Sequence, residues 1–188
     1  MVFGLGWFKH EPKPGEKMGF GPNSVTVTVR RAKRDPITHE AIIGKDGKVV
    51  YLDKVEIYRN WNTTISAGLD AAKDRLFNTA TAQTVAKYIA LSESTHAPDA
   101  GDTALDAEIT KNGLERAAAS YSVGGCSTGE CILSNAFTAT GTFTAVQLMG
   151  LFDVTGTAGD MYFEATITAV ALESGDQLTA QWNKITIS

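Results

Sequence analysis

Cysteine and histidine are scarce in this sequence, two and three among 188 residues, and their scarcity excludes a good deal. His10, His39 and His96 stand in separate polar segments, and neither a His-Glu-x-x-His pair nor a cysteine-histidine spacing marks a metal site. A Gly-x-x-x-x-Gly-Lys phosphate loop and a complete Gly-x-Gly-x-x-Gly turn are both missing. No catalytic residue, cofactor or metal is therefore expected, and the chain does not read as an enzyme. Long apolar runs are missing too: nothing approaches the ~20 residues of a membrane helix. The apolar start, Met1 to Phe8, contains two glycines, has no basic residue before it and is followed by Lys9-His10, which does not fit a secretory signal. A chain that engages neither membrane nor cofactor is expected.

What is present points to strands. Hydrophobic residues make up 43% and charged residues 20%, enough to bury one core, and 18 glycines with many threonines favour short strands joined by tight turns. Val25-Thr26-Val27-Thr28-Val29-Arg30 alternates strictly, and a second strand pattern runs from Lys48 to Tyr58 after the turn signal Asp46-Gly47. In that second strand Val55 and Ile57 share one face and Lys54 and Glu56 the other, so the apolar face is expected to be the covered one. Further strands are predicted at Val85 to Leu91, Leu114 to Val123, Cys131 to Thr140, Ala145 to Phe152, Met161 to Ala169 and Leu178 to Ile187. In the last, the apolar parity slips near Asn183-Lys184, which predicts a β-bulge. One helix is predicted over about 65–77, capped by Thr63-Thr64 and carrying Ile65, Leu69, Ala72 and Leu76 on one face. Ala104 to Ile109 reads as a short helical turn. The fold class is mainly β: an antiparallel two-sheet β-sandwich over residues 25–188 with one short helix.

Residues 1–24 show neither period. Pro12, Pro14 and Pro22 are interspersed there with Phe3, Trp7, Phe8 and Phe20. Apolar rings on an extended N-terminal arm favour burial, either on a neighbouring subunit or back on their own domain, so these four are candidate assembly contacts.

Charge is unevenly spread. The net value is −4, but residues 1–60 carry 11 Lys+Arg against 7 Asp+Glu (+4), and residues 61–188 carry 6 against 14 (−8). Arg30-Arg31-Ala32-Lys33-Arg34 follows a strand pattern and runs into Asp35-Pro36, which reads as a solvated strand end, so nucleic-acid binding is not expected. Asp99, Asp102, Asp106 and Glu108 match no calcium-loop spacing; Asp102 is expected to cap the turn at Thr103 and the others to face solvent. Cys126 and Cys131 are spaced to close across a hairpin tipped by Ser127 to Glu130, and a disulfide and a reduced pair both remain open. Trp61, Tyr88, Tyr121, Tyr162 and Trp182 include rings suited to stacking on sugars, although strand positions favour a core role.

An ordered set of segments adds a resemblance. It comprises Asn62-Thr-Thr-Ile-Ser-Ala-Gly-Leu69, Tyr88-Ile-Ala-Leu91 with Ala97-Pro98, Asp102-Thr103-Ala104-Leu105, and Glu115-Arg116-Ala117 with Tyr121. Gly150-Leu151-Phe152-Asp153, Met161-Tyr-Phe-Glu-Ala165 and Ser174-Gly175-Asp176 through Trp182 follow. In this order they resemble a family of tailed-bacteriophage virion proteins, of tail or tail-fibre type, over about two thirds of the chain. The resemblance implies a non-enzymatic structural subunit in the virion, associated with tail fibre, tip or neck, that assembles with itself and other virion proteins. A capsid decoration or cement protein and a module that binds a host surface glycan are the alternatives. The longer region 1–60 and the segment Cys126 to Cys131 depart from the family's pattern.

Overall fold

The computed structural model describes residues 24–61, 63–64, 66, 68, 70, 86–123, 130–156 and 159–186. Residues 1–23 of the expected arm, with Phe3, Trp7, Phe8 and Phe20, lie outside the described residues, and Ser24 already opens the first strand. Of the predicted helix, Ser66, Gly68 and Asp70 are described and are helical.

Among the described residues ten strands form two five-stranded sheets. They are β1 Ser24–Ala32, β2 Tyr51–Trp61, β3 Thr63–Thr64, β4 Tyr88–Ser92, β5 Ala117–Ala118, β6 Ser120–Ser122, β7 Glu130–Thr138, β8 Phe143–Phe152, β9 Met161–Leu172 and β10 Gln177–Thr186. Sheet one runs β2-β1-β10-β7-β6 and sheet two β3-β9-β8-β4-β5, with antiparallel pairing throughout. The antiparallel two-sheet β-sandwich is thus the fold.

Alternation builds the core. Val25, Val27 and Val29 of β1 are fully buried, facing Ile89 and Leu91 of β4, Met149 and Leu151 of β8, and Phe163 and Ala165 of β9 in one cluster. Trp182 of β10 lies at its centre, its ring 5.7 Å from that of Phe163 on the opposing sheet. The bulge expected near Asn183-Lys184 is present: Trp182 pairs with Leu133 and Ile185 with Cys131, three steps on β10 against two on β7. The Asp46-Gly47 turn is present as well, with Gly47 at φ 76° and Ile43 bridged to Val49.

At both lateral sides of the sandwich the chain passes from one sheet to the other. β2 ends at Trp61 in sheet one, and β3 joins sheet two at Thr63; on the other side β5 and β6 flank Ala119 and lie in sheets two and one. The strand expected from Leu114 to Val123 is therefore two short ones, because the segment serves both sheets at their rim.

Two expectations are overturned. Residues 104–109 form a turn rather than a helical one: Ala107 sits at φ 46°, Glu108 bridges to Ser92, and the Ile109 amide donates to the Leu91 carbonyl at 2.8 Å. The face of β2 that carries Val55 and Ile57 points outward. Its register sets Tyr58 opposite buried Val27 and Ile57 opposite Thr28, so Tyr58 packs on the core while Val55 and Ile57 remain 41% and 54% exposed.

The 93–116 loop covers the outer face of sheet two. Its Leu105 is buried with Ala90, Leu148, Phe152 and Met161 in a second apolar cluster. Glu108 holds Arg116 through two hydrogen bonds, and the guanidinium of Arg116 lies 3.5 Å over the Phe152 ring. That face is therefore internal although it lies outside the sandwich.

Candidate functional site

Three places combine exposure or unusual charge with defined geometry. The first is β2, an edge strand of 11 residues hydrogen-bonded to β1 on one side. Leu52, Val55 and Ile57 are its exposed apolar side chains, alongside exposed Asp53, Lys54 and Arg59. A long edge with outward apolar groups is a template for another chain, and the charges limit indiscriminate pairing.

The second is the basic run after β1. It is not a solvated strand end: Arg31 reaches Glu56 at 2.9 Å and Asp176 at 3.1 Å, and Arg34 reaches Glu173 at 2.7 Å and Asp176 at 3.2 Å. The Arg31 hydrogen bond holds the Glu56 carboxyl below its usual range. Arg30 stacks its guanidinium 4.7 Å over Tyr51. With Arg31 and Arg34 paired to carboxylates of this chain, the run ties the end of β1 and the β1–β2 connection to β2 and to the β9–β10 connection.

The third is a cluster under the 93–116 loop. Glu164 sits on the outward parity of β9, paired with Thr63 of β3 and Gly150 of β8, yet it is 0% exposed because the loop and the Ser66 segment cover it. The Ser66 amide donates to the Ala100 carbonyl at 2.8 Å, and at Gly68 a Cβ would stand 2.5 Å from the Tyr162 backbone, so that segment lies directly against β9. Neither carboxylate oxygen of Glu164 meets a hydrogen-bond donor among the described residues, and its polar neighbours are the Asp102 carboxylate and His96. Ligand atoms of His96, Asp102 and Glu164 all lie within 4.8 Å of one another.

The loop pre-arranges two members of this cluster. Asp102 does not cap the turn at Thr103; its Oδ2 accepts the Asp99 amide at 2.8 Å and contacts His96 Nε2 at 3.0 Å. Asp99 in turn accepts the Gly101 amide, and Ser94 accepts the His96 amide. The hydrogen bond to Asp102 raises the His96 pKa. Burial, which acts to raise the Asp102 pKa, is outweighed by the Asp99 amide and His96, and the carboxyl ends below its usual range. Glu164 is pushed up to about 8, by burial first and then by the neighbouring Asp102. Two carboxylates can hydrogen-bond only through a retained proton, so the Glu164–Asp102 pair demands either that proton or a cation.

The other sequence candidates divide. Trp182 and Tyr162 are buried, Tyr88 is half-buried and Tyr121 is 67% exposed, so of these four rings only Tyr121 is open to a ligand face. Asp99 and Asp106 are exposed, as expected, whereas Glu108 is in the pair with Arg116. Cys131 is partly buried against the core on β7, and its candidate partner Cys126 lies outside the described residues. Gly125-Cys126-Ser127-Thr128-Gly129 spells the Gly-x-Ser-x-Gly of hydrolase elbows, but it connects antiparallel β6 and β7, not a strand and a helix as that elbow needs. Sequence reading missed Glu164 as a site residue: a lone acid in an apolar strand was its one signal.

Comparison with protein-family models, with curated proteins and with solved structures finds no match to this chain.

Proposed function

We propose that the chain is a structural, non-enzymatic subunit of a tailed-phage virion, associated with the tail, that joins its neighbours through β2 and the 1–24 segment. The outward apolar face of β2 is the observation that carries this reading. Val55 and Ile57 stand exposed on a strand whose free side is open among the described residues, and Leu52 lies on the same strand. A second copy or another virion chain added along β2 would satisfy its backbone groups and cover these side chains. The ordered sequence resemblance to virion proteins supports the setting, and the edge supports the mode of contact.

Light scattering on the full chain, on residues 25–188 and on a Val55→Lys/Ile57→Lys variant tests it. The full chain should give a defined multiple of 20.0 kDa. Both altered chains should remain folded and run as monomers. An oligomer unchanged by either alteration, or a full chain that is monomeric throughout, overturns the proposal.

A further inference from the structure

We propose that His96, Asp102 and Glu164 bind one divalent transition-metal cation of the zinc class, pinning the 93–116 loop to β9. The inference is independent of the assembly reading. Glu164 is its anchor: a side chain with no exposed surface, neither oxygen of which meets a hydrogen-bond donor among the described residues, and one of which lies within 4.8 Å of ligand atoms of His96 and Asp102. Buried carboxylates are ordinarily hydrogen-bonded, paired with a base or bound to metal, and no lysine or arginine approaches this one among the described residues.

The donor set selects the ion. One imidazole nitrogen and two carboxylates carry a formal charge of about −2, matched by a divalent cation. Imidazole favours zinc and its neighbours over calcium or magnesium, which prefer oxygen alone. Zinc bonded at ~2.0–2.2 Å holds its ligands roughly 3.4 Å apart. The 3.0 Å contact of His96 with Asp102 and the 4.8 Å limit on the cluster bracket that spacing. Small side-chain rotations of His96, which is open to solvent, and of Asp102 beside it would reach it. Solvent at His96 would supply water as the remaining ligand.

The three residues lie on two elements, 93–116 and β9, so an ion would cross-link the cover to sheet two. Anything bound only by the folded state raises its stability with concentration.

The test uses the full chain stripped with chelator, then dialysed against zinc chloride, with bound metal counted and thermal unfolding followed. His96→Ala removes an exposed ligand, and Glu164→Gln keeps the shape of the buried one. Both should retain the near-ultraviolet circular dichroism of the parent. The parent should bind one zinc per chain and unfold several degrees higher in saturating zinc, both variants should lose binding at least tenfold, and calcium should not substitute. Absence of binding, binding undiminished in both variants, or an equal shift with calcium would overturn the assignment.

Discussion

Asp176 concentrates four donors on one carboxylate. Its Oδ1 accepts the Ala32 amide at 2.8 Å and Arg34, and its Oδ2 accepts Arg31 and the Glu173 amide. The residue is almost wholly buried, so removing it takes the acceptor from two backbone amides and leaves Arg31 and Arg34 with Glu56 and Glu173 as their remaining carboxylates. Breaking a buried pair costs ~3–5 kcal/mol. Because Arg31 and Arg34 remain partly exposed, Asp176→Ala is expected to cost about 2–3 kcal/mol. Asp176→Asn, which keeps an acceptor for Ala32, should cost less. Urea unfolding measures both, and a loss below roughly 0.5 kcal/mol for the alanine variant, the range of neutral surface changes, would refute the tie. In the sequence, Ser174-Gly175-Asp176 is legible as a turn, but nothing local says that a strand end 144 residues earlier terminates on it.

At the scale of elements, β2 and the 93–116 loop show how a neighbour overrides a local pattern. The alternation of β2 allows either face to be buried. β1 settles the matter, because its three core valines fix which β2 residues lie beside them: Tyr58, Asn60 and Glu56. Glu56 tolerates that side because Arg31 meets it. A one-residue change of register would bury Val55 and Ile57 instead and separate Glu56 from its partner. The loop has little regular structure, and what fastens it is Leu105 on the outer face of sheet two. Leu105→Ala is therefore expected to destabilise the protein by ~2–4 kcal/mol, as for other buried leucines. A variant of unchanged stability in denaturant titration would show that the loop does not contribute a second core.

The whole molecule is stitched at both sides. Chain passing from β2 to β3 and from β5 to β6 leaves neither sheet able to separate without breaking pairs in the other. Thermal unfolding should accordingly be one cooperative event, with far-ultraviolet and near-ultraviolet circular dichroism superimposing on a single transition. Two resolved transitions would mean that the sheets, or the loop-covered face, unfold separately.

The sequence by itself determined the class, most strand positions, the Asp46-Gly47 turn and the bulge at Asn183-Lys184, because each is written in period-two alternation or turn chemistry within a few residues. Only the tertiary structure decided which face of β2 is covered, how 117–122 divides between sheets, and that His96, Asp102 and Glu164 meet. Those outcomes depend on register between strands distant in the chain and on a loop laid across a sheet, and local patterning carries no record of either.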